Sequence, residues 1–161
     1  YEGASDNDRS LHLLDLETGS EQTLADTPAN EMFGTISPDG RWLAYESNEN
    51  GQWNVYVQTF PEPTGRWPIT TDGGHQPRWN PRGGELFYLA PDRRLVSVPV
   101  RAAGTEFRWD TPRTLFKTDI VDLGPYRGAW GYAVGPDGNR FLITTRRSQG
   151  PSPAVTIVNW K

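Results

Sequence analysis

Two aspartates at matching places in the chain, Asp39 and Asp137, are the first candidates for chemistry. Paired carboxyl groups with separated pKa values can act as acid and base on one substrate. Each of them follows a proline and precedes a glycine, in Pro38-Asp39-Gly40 and Pro136-Asp137-Gly138. An aspartate after proline usually bonds to the backbone of a tight turn. We therefore expect turn residues on separate repeats rather than a catalytic pair.

Nucleophilic and metal chemistry have little support in the composition. The chain has no cysteine and two histidines, His12 and His75. A serine hydrolase of the nucleophile-elbow type needs G-x-S-x-G and a histidine base, and that pentapeptide is absent. A metal site needs several converging His, Asp or Glu side chains. We predict a packed or edge strand position for His12, no metal, no cofactor and no enzymatic activity.

Candidate binding residues lie in three segments that lead into the first strand of a repeat. They carry charged, amide and aromatic side chains, and Trp, Tyr and Arg are enriched at binding hot spots. The alternative is that the aromatic residues pack between repeats and the charges are only solvated. We predict that this end of the molecule binds a protein, a peptide or a small ligand. The candidates are Glu31, His75, Gln76, Arg78, Tyr126, Arg127 and Trp130.

The repeats that carry these segments are marked by a recurring turn. Pro38-Asp39-Gly40 returns at Pro136-Asp137-Gly138, and Pro81-Arg82-Gly83-Gly84 is a longer version between them. Pro38 and Pro81 are 43 positions apart, and Pro81 and Pro136 are 55 positions apart. Four-stranded propeller blades repeat every ~40–50 residues, so the spacing predicts blades, the second with a longer loop.

The strand after the first turn carries apolar residues on both faces, although the mean hydropathy of the chain is −0.69. Because strand side chains alternate, Trp42 and Ala44 face one way and Leu43 and Tyr45 the other. A blade sandwiched between two neighbours needs such a strand. Most tryptophans fall in strands of this kind and are interpreted as packing between blades.

The predicted fold class is therefore all-β, a β-propeller of four-stranded antiparallel blades present as a partial ring of about three to three and a half blades. Residue 1 is expected inside a strand of a blade whose beginning is missing. Propellers close with roughly four to eight blades, which favours either a larger parent protein or a homodimer that completes the ring. The predicted single domain comprises a blade remnant at 1–27, blades at 28–72 and 73–118, and an incomplete blade at 119–161.

The charge pattern limits the partners. Sixteen basic and 20 acidic residues give a formal charge of −4 with no basic patch, so nucleic acid is not expected. No apolar run approaches the ~18 residues of a membrane span, so this segment is not expected to contact a membrane.

Four stretches carry a family resemblance: "LHLLDLETGSEQTL", "FGTISPDGRWLAYES", "PRWNPRGGELFYLAP" and "YAVGPDGNRFLITT". They resemble the Pro-Asp-Gly, WD-like repeats of TolB-type six-bladed propellers. The chain is most similar to the C-terminal extracytoplasmic propeller of bacterial membrane-anchored serine/threonine kinases, which ends in a strand like "PAVTIVNW". The resemblance implies a periplasmic or extracellular binding, scaffold or sensor module. An alternative is the propeller of an enzyme, either a prolyl-oligopeptidase-like cap or a polysaccharide-lyase-like propeller.

Overall fold

The computed structural model describes residues 9–120 and 130–145, and the backbone of 155–159. Its strands form four sheets, which we number along the chain. Sheet 1 consists of β1 (Leu11–Leu14) and β2 (Glu21–Ala25). Sheet 2 consists of β3 (Glu31–Ile36), β4 (Trp42–Ser47), β5 (Asn54–Thr59) and β6 (Arg66–Pro68). Sheet 3 consists of β7 (His75–Trp79), β8 (Glu85–Leu89), β9 (Arg94–Ala103), β10 (Glu106–Trp109) and β11 (Arg113–Lys117). Sheet 4 consists of β12 (Tyr132–Val134), β13 (Arg140–Thr144) and β14 (Val155–Asn159).

Every strand pairing within these sheets is antiparallel, between strands that follow one another or share β9 as their partner. The described residues contain no α-helix, and thus no helix that could cross a membrane. The all-β class predicted from the sequence is confirmed.

The Pro-Asp-Gly turns join the first two strands of their sheets, as predicted. Gly40 has a φ of 70° and its N–H donates to the Ser37 carbonyl over 2.9 Å. The Asp39 carboxylate accepts a hydrogen bond from the Ser37 hydroxyl at 2.6 Å and two from the Arg41 guanidinium at 2.8 and 2.9 Å. Asp39 is therefore held in its own turn, which confirms its structural role.

Acid titration is expected to show the stabilising effect of Asp39. Burial alone would raise its pKa, but hydrogen bonds from Ser37 and Arg41 outweigh it, so the pKa lies below its ordinary value of 3.8. The carboxylate stabilises the folded chain above pH 3.8, and this stabilisation is lost as the pH falls through the lowered folded-state pKa. We expect the free energy of unfolding to fall less steeply with acid in Asp39→Asn than in the wild type. Asp26→Asn, at an exposed side chain, is the control, and equal slopes for Asp39→Asn and wild type would contradict the assignment.

The sheets stack face to face, with apolar layers between them. All six residues of β4 are buried. Trp42 and Ala44 pack into the layer shared with sheet 3, whereas Leu43 and Tyr45 pack into the layer shared with sheet 1. A third layer, which includes Phe87 and Phe141, joins sheets 3 and 4. The two-faced strand predicted from the sequence is thus confirmed.

Sheet 3 differs from the four strands predicted for it. Its outer strand is divided into β10 and β11, which pair with successive parts of the long β9. Pro112 lies in the break, and because proline has no N–H to donate, pairing is interrupted there. The β9–β10 hairpin carries Phe107 into a cluster of tryptophans. Its ring centroid lies 5.0, 5.6, 6.3 and 6.1 Å from those of Trp42, Trp67, Trp79 and Trp109.

Candidate functional site

The first strands of sheets 2, 3 and 4 lie beside one another and position the candidate residues. β7 contacts both β3 and β12. β3 and β7 each contain a bulge at the same place in the repeat, where Phe33 and Gln76 lie 43 positions apart. These residues have φ values of 53° and 52°. A non-glycine residue in this left-handed region costs about 1–2 kcal/mol, and such strain is concentrated at functional sites.

Three side chains meet at these bulges, and we call them the inner cluster: Phe33 of β3, Arg78 of β7 and Trp130, which lies two residues before β12. The Arg78 guanidinium carbon lies 3.4 Å from the Trp130 ring centroid. The Phe33 ring contacts the Trp130 ring edge-on, with centroids 4.8 Å apart and planes at 73°. Trp130 is half-buried, so the cluster reaches the surface without losing its packing.

Gln76 connects β7 to β4 of sheet 2 and to the start of sheet 4. Its backbone N–H donates to the Glu46 carboxylate at 2.8 Å. Its side-chain oxygen accepts from the Gly131 N–H at 2.7 Å, and its carbonyl accepts from the Tyr132 hydroxyl at 2.8 Å. Burial raises the pKa of that hydroxyl well above its ordinary value, so it remains a donor. A side chain at position 131 would lie 2.6 Å from Ile120 Cγ2, which explains the glycine there.

His75 and Glu46 form a pair next to the bulge. His75 Nδ1 lies 3.5 Å from a carboxylate oxygen of Glu46, whose side chain is 1% exposed, whereas that of His75 is 34% exposed. A buried carboxylate beside one ring nitrogen orients the imidazole and leaves the other nitrogen for an external group. This arrangement can accept and return a proton.

Arg78 is the cation of the inner cluster and lacks a counter-ion in the part of the chain that the structure describes. Its Nε is buried without a hydrogen-bond partner, and no ion pair with a described residue involves its guanidinium. Burial lowers its pKa from the ordinary value. A desolvated cation without an anion is an unfavourable arrangement that an external anion would relieve.

The structure brings His75, Gln76, Arg78 and Trp130 together. The first three lie within β7 rather than in a loop, a difference caused by the bulge, which lets pairing continue past them. Glu31 is 1% exposed, and its carboxylate accepts hydrogen bonds from the hydroxyls of Thr27 and Ser47, apart from the inner cluster. Tyr126 and Arg127 lie outside the described residues.

Two residues of the candidate site, Phe33 and Glu46, were not predicted from the sequence. The 43-residue spacing from Phe33 to Gln76 was a usable signal for the first. Glu46 had no local signal, because its role depends on the packing of β4 against β7. Among the described residues, no group of His, Asp and Glu side chains could hold a metal ion.

Comparison with known proteins identifies the architecture. No protein-family model and no curated protein sequence matches the chain. Among solved structures, a protein assigned as TolB from Agrobacterium tumefaciens has a TM-score of 0.50 at 21% identity, over 66% of this chain and 40% of that chain. Oligogalacturonate lyase from Vibrio parahaemolyticus has a TM-score of 0.53 at 16% identity, over 88% and 37%. A protein assigned as a 6-phosphogluconolactonase from Bacteroides uniformis has a TM-score of 0.50 at 14% identity, over 94% and 50%.

The chain is therefore a partial, TolB-like β-propeller, as the sequence predicted. At these identities the likeness shows the fold alone, and the chain spans half or less of the length of each structure. The conclusion from the sequence that the protein is not an enzyme is wrong, because the same architecture is found in a lyase and in a protein assigned as a lactonase. The absence of a nucleophile elbow excludes one catalytic class only.

Proposed function

We propose that this chain is a ligand-binding propeller module whose binding site is the inner cluster of Phe33, Arg78 and Trp130. The observation that supports it is the contact of Trp130, which precedes β12, with Phe33 of β3 and with the partly buried Arg78 of β7, whose guanidinium stacks on the tryptophan. Arginine and tryptophan in such a desolvated arrangement are the side chains that dominate binding energies at interfaces. The two strained bulges hold the cluster in place before a ligand arrives.

The proposal also covers the location of the protein, its role and its oligomeric state. The resemblance to the propellers of membrane-anchored kinases supports an extracytoplasmic location and a sensor or scaffold role. Leu14 and Leu142, on the outward faces of sheets 1 and 4, are 58% and 49% exposed. Apolar side chains on these faces support the homodimer that completes the ring, which stays a prediction.

Selection of ligands followed by mutation tests the binding site. Peptide display and an oligosaccharide panel would be used to select ligands of the wild-type chain, whose affinities would then be measured by calorimetry. We expect Trp130→Leu to weaken a selected ligand by about 30-fold or more, the loss typical of a hot-spot residue. Arg82→Ala changes an exposed turn of sheet 3 and is the matched control, with unchanged affinity. If every selected ligand binds Trp130→Leu as well as the wild type, the proposed site is wrong.

A second candidate function is acid–base chemistry on the bound ligand. The His75–Glu46 pair favours it, because a partly exposed imidazole beside a buried carboxylate is suited to proton transfer. Chromatography of the selected ligands after incubation provides the readout. Turnover by the wild type that is lost in His75→Gln, with binding retained, would establish it; intact ligands would exclude it.

A further inference from the structure

Arg66 and Arg78 both stack on aromatic rings, but only Arg66 also pairs with a carboxylate of a described residue. The Arg66 guanidinium carbon lies 4.0 Å from the Tyr56 ring centroid, and its terminal nitrogen lies 2.9 Å from the Glu49 carboxylate. Arg78 stacks on Trp130 at 3.4 Å without a carboxylate from any described residue. Arg78 is half-buried, whereas Arg66 is more exposed. Among the residues that the structure describes, a carboxylate completes the arginine–aromatic site at Arg66 and none completes the site at Arg78.

The two environments have opposite effects on the arginines. Burial opposes the charged form of Arg66, but Glu49 and the Tyr45 hydroxyl outweigh it, so the pKa of Arg66 lies above its ordinary value. Burial lowers the pKa of Arg78, and no carboxylate of a described residue compensates for it. The Nε–H of Arg66 donates to the Tyr45 hydroxyl at 2.7 Å, whereas the buried Nε–H of Arg78 has no acceptor in the described part of the chain. An oxygen atom with a negative charge beside the guanidinium would supply the missing counter-charge.

We propose that Arg78 receives a carboxylate of an acidic peptide, an inference that rests on the proposed binding site. One guanidinium matches one carboxylate in charge and in planar geometry. A phosphate dianion carries more charge than one guanidinium neutralises and would need a further cation beside Arg78. An acidic sugar would need a free aromatic face for stacking, and Arg78 covers one face of Trp130 while Phe33 contacts the ring as well.

Nuclear magnetic resonance of the ¹⁵N-labelled chain tests the anion at Arg78. The probe is sodium acetate at constant ionic strength, and the Arg78 Nε–H signal is identified by its absence in Arg78→Lys. We expect acetate to shift this signal in a saturating manner, and the Arg66 Nε–H signal, already bonded, to stay in place. An unmoved Arg78 signal, an equal shift with chloride, or saturation by inorganic phosphate below the acetate concentration would overturn the proposal.

Calorimetry with defined ligands tests the peptide. An N-acetylated, C-amidated tetraglutamate is compared with the matching tetraglutamine and with trigalacturonate. We expect the tetraglutamate to bind most tightly, and Arg78→Gln to weaken it about 10- to 100-fold, the loss of a charge-assisted hydrogen bond. Arg82→Gln is the control and leaves affinity unchanged.

The outcomes separate this inference from the proposed binding site. Tighter binding of trigalacturonate, equal binding of tetraglutamine, or no binding of tetraglutamate would overturn the acidic-peptide assignment. The proposed site would nevertheless stand if the bound ligand were lost in Trp130→Leu. If ligands bind and neither Trp130→Leu nor Arg78→Gln affects them, both the site and the inference are wrong.

Discussion

Trp42→Ala is expected to lower the free energy of unfolding by about 3–5 kcal/mol, the cost of removing a large aromatic side chain from a packed core. Trp42 is 2% exposed, and its ring centroid lies 5.0 Å from that of Phe107 and 5.6 Å from that of Trp67. These rings come from sheets 2 and 3, so the cavity would open between two sheets. Chemical denaturation followed by circular dichroism measures the change, and a loss below about 1 kcal/mol would contradict this packing.

Tryptophan-to-phenylalanine substitutions distinguish the contribution of packing from that of hydrogen bonding in the apolar layer between sheets 2 and 3. The buried Nε1–H of Trp42 has no acceptor in the part of the chain that the structure describes, whereas that of Trp79 donates to the Thr35 carbonyl at 3.0 Å. Trp42→Phe therefore removes an unpaired donor, while Trp79→Phe breaks a bond between sheets 3 and 2. We expect Trp79→Phe to cost about 1 kcal/mol more than Trp42→Phe. Equal costs would mean that packing alone decides both.

Gly138→Ala is the second substitution with a large expected effect. Gly138 has a φ of 71°, and a Cβ there would lie 2.2 Å from Asn80 Oδ1. The Asn80 side chain cannot move aside freely, because it donates to Glu85 at 3.0 Å and accepts from the Arg82 N–H at 3.0 Å. We expect the backbone strain of about 1–2 kcal/mol and an overpacking cost of about 1–3 kcal/mol to add. The free energy of unfolding from a denaturant titration reports their sum.

Gly40→Ala is the matched control for this effect. Gly40 occupies the equivalent turn with a φ of 70°, and nothing lies within 4 Å of its added Cβ. It should therefore show the backbone cost alone. In an Asn80→Ala background, Gly138→Ala should approach the cost of Gly40→Ala, because the clash is gone. The same cost for Gly138→Ala and Gly40→Ala in the wild-type background would rule out the contact between sheets 3 and 4 at this turn.

The repeating frame was predictable because short-range chemistry determines it. Proline sets φ, aspartate bonds to its own turn and glycine accepts a positive φ, so Pro38-Asp39-Gly40 specifies a hairpin wherever it occurs. Alternation along β4 then predicts two buried faces, which the structure confirms. The division of the outer strand of sheet 3 was not predicted, although Pro112 indicates a break in strand pairing.

The candidate site was predictable only in part, because its geometry depends on contacts between strands far apart in sequence. Residue type alone identified four of the candidates, His75, Gln76, Arg78 and Trp130. The left-handed conformation of Phe33 has no local signature, since phenylalanine does not favour it. Glu46 reaches Gln76 across 30 positions of sequence. The contact of Glu46 does not follow from the periodicity of the repeats, whereas the place of Phe33 in the repeat matches that of Gln76.

The repeated bulge has a consequence for how binding specificity evolves. Positions 33 and 76 share one backbone conformation yet carry a phenylalanine and a glutamine, and the corresponding position of the third repeat is Gly131. The bulge therefore accommodates different side chains, and we expect substitutions at position 33 to alter recognition at the proposed site while the turns and apolar layers of the sheets are left intact. Randomising positions 33 and 78 offers a compact library for redirecting this scaffold to new ligands.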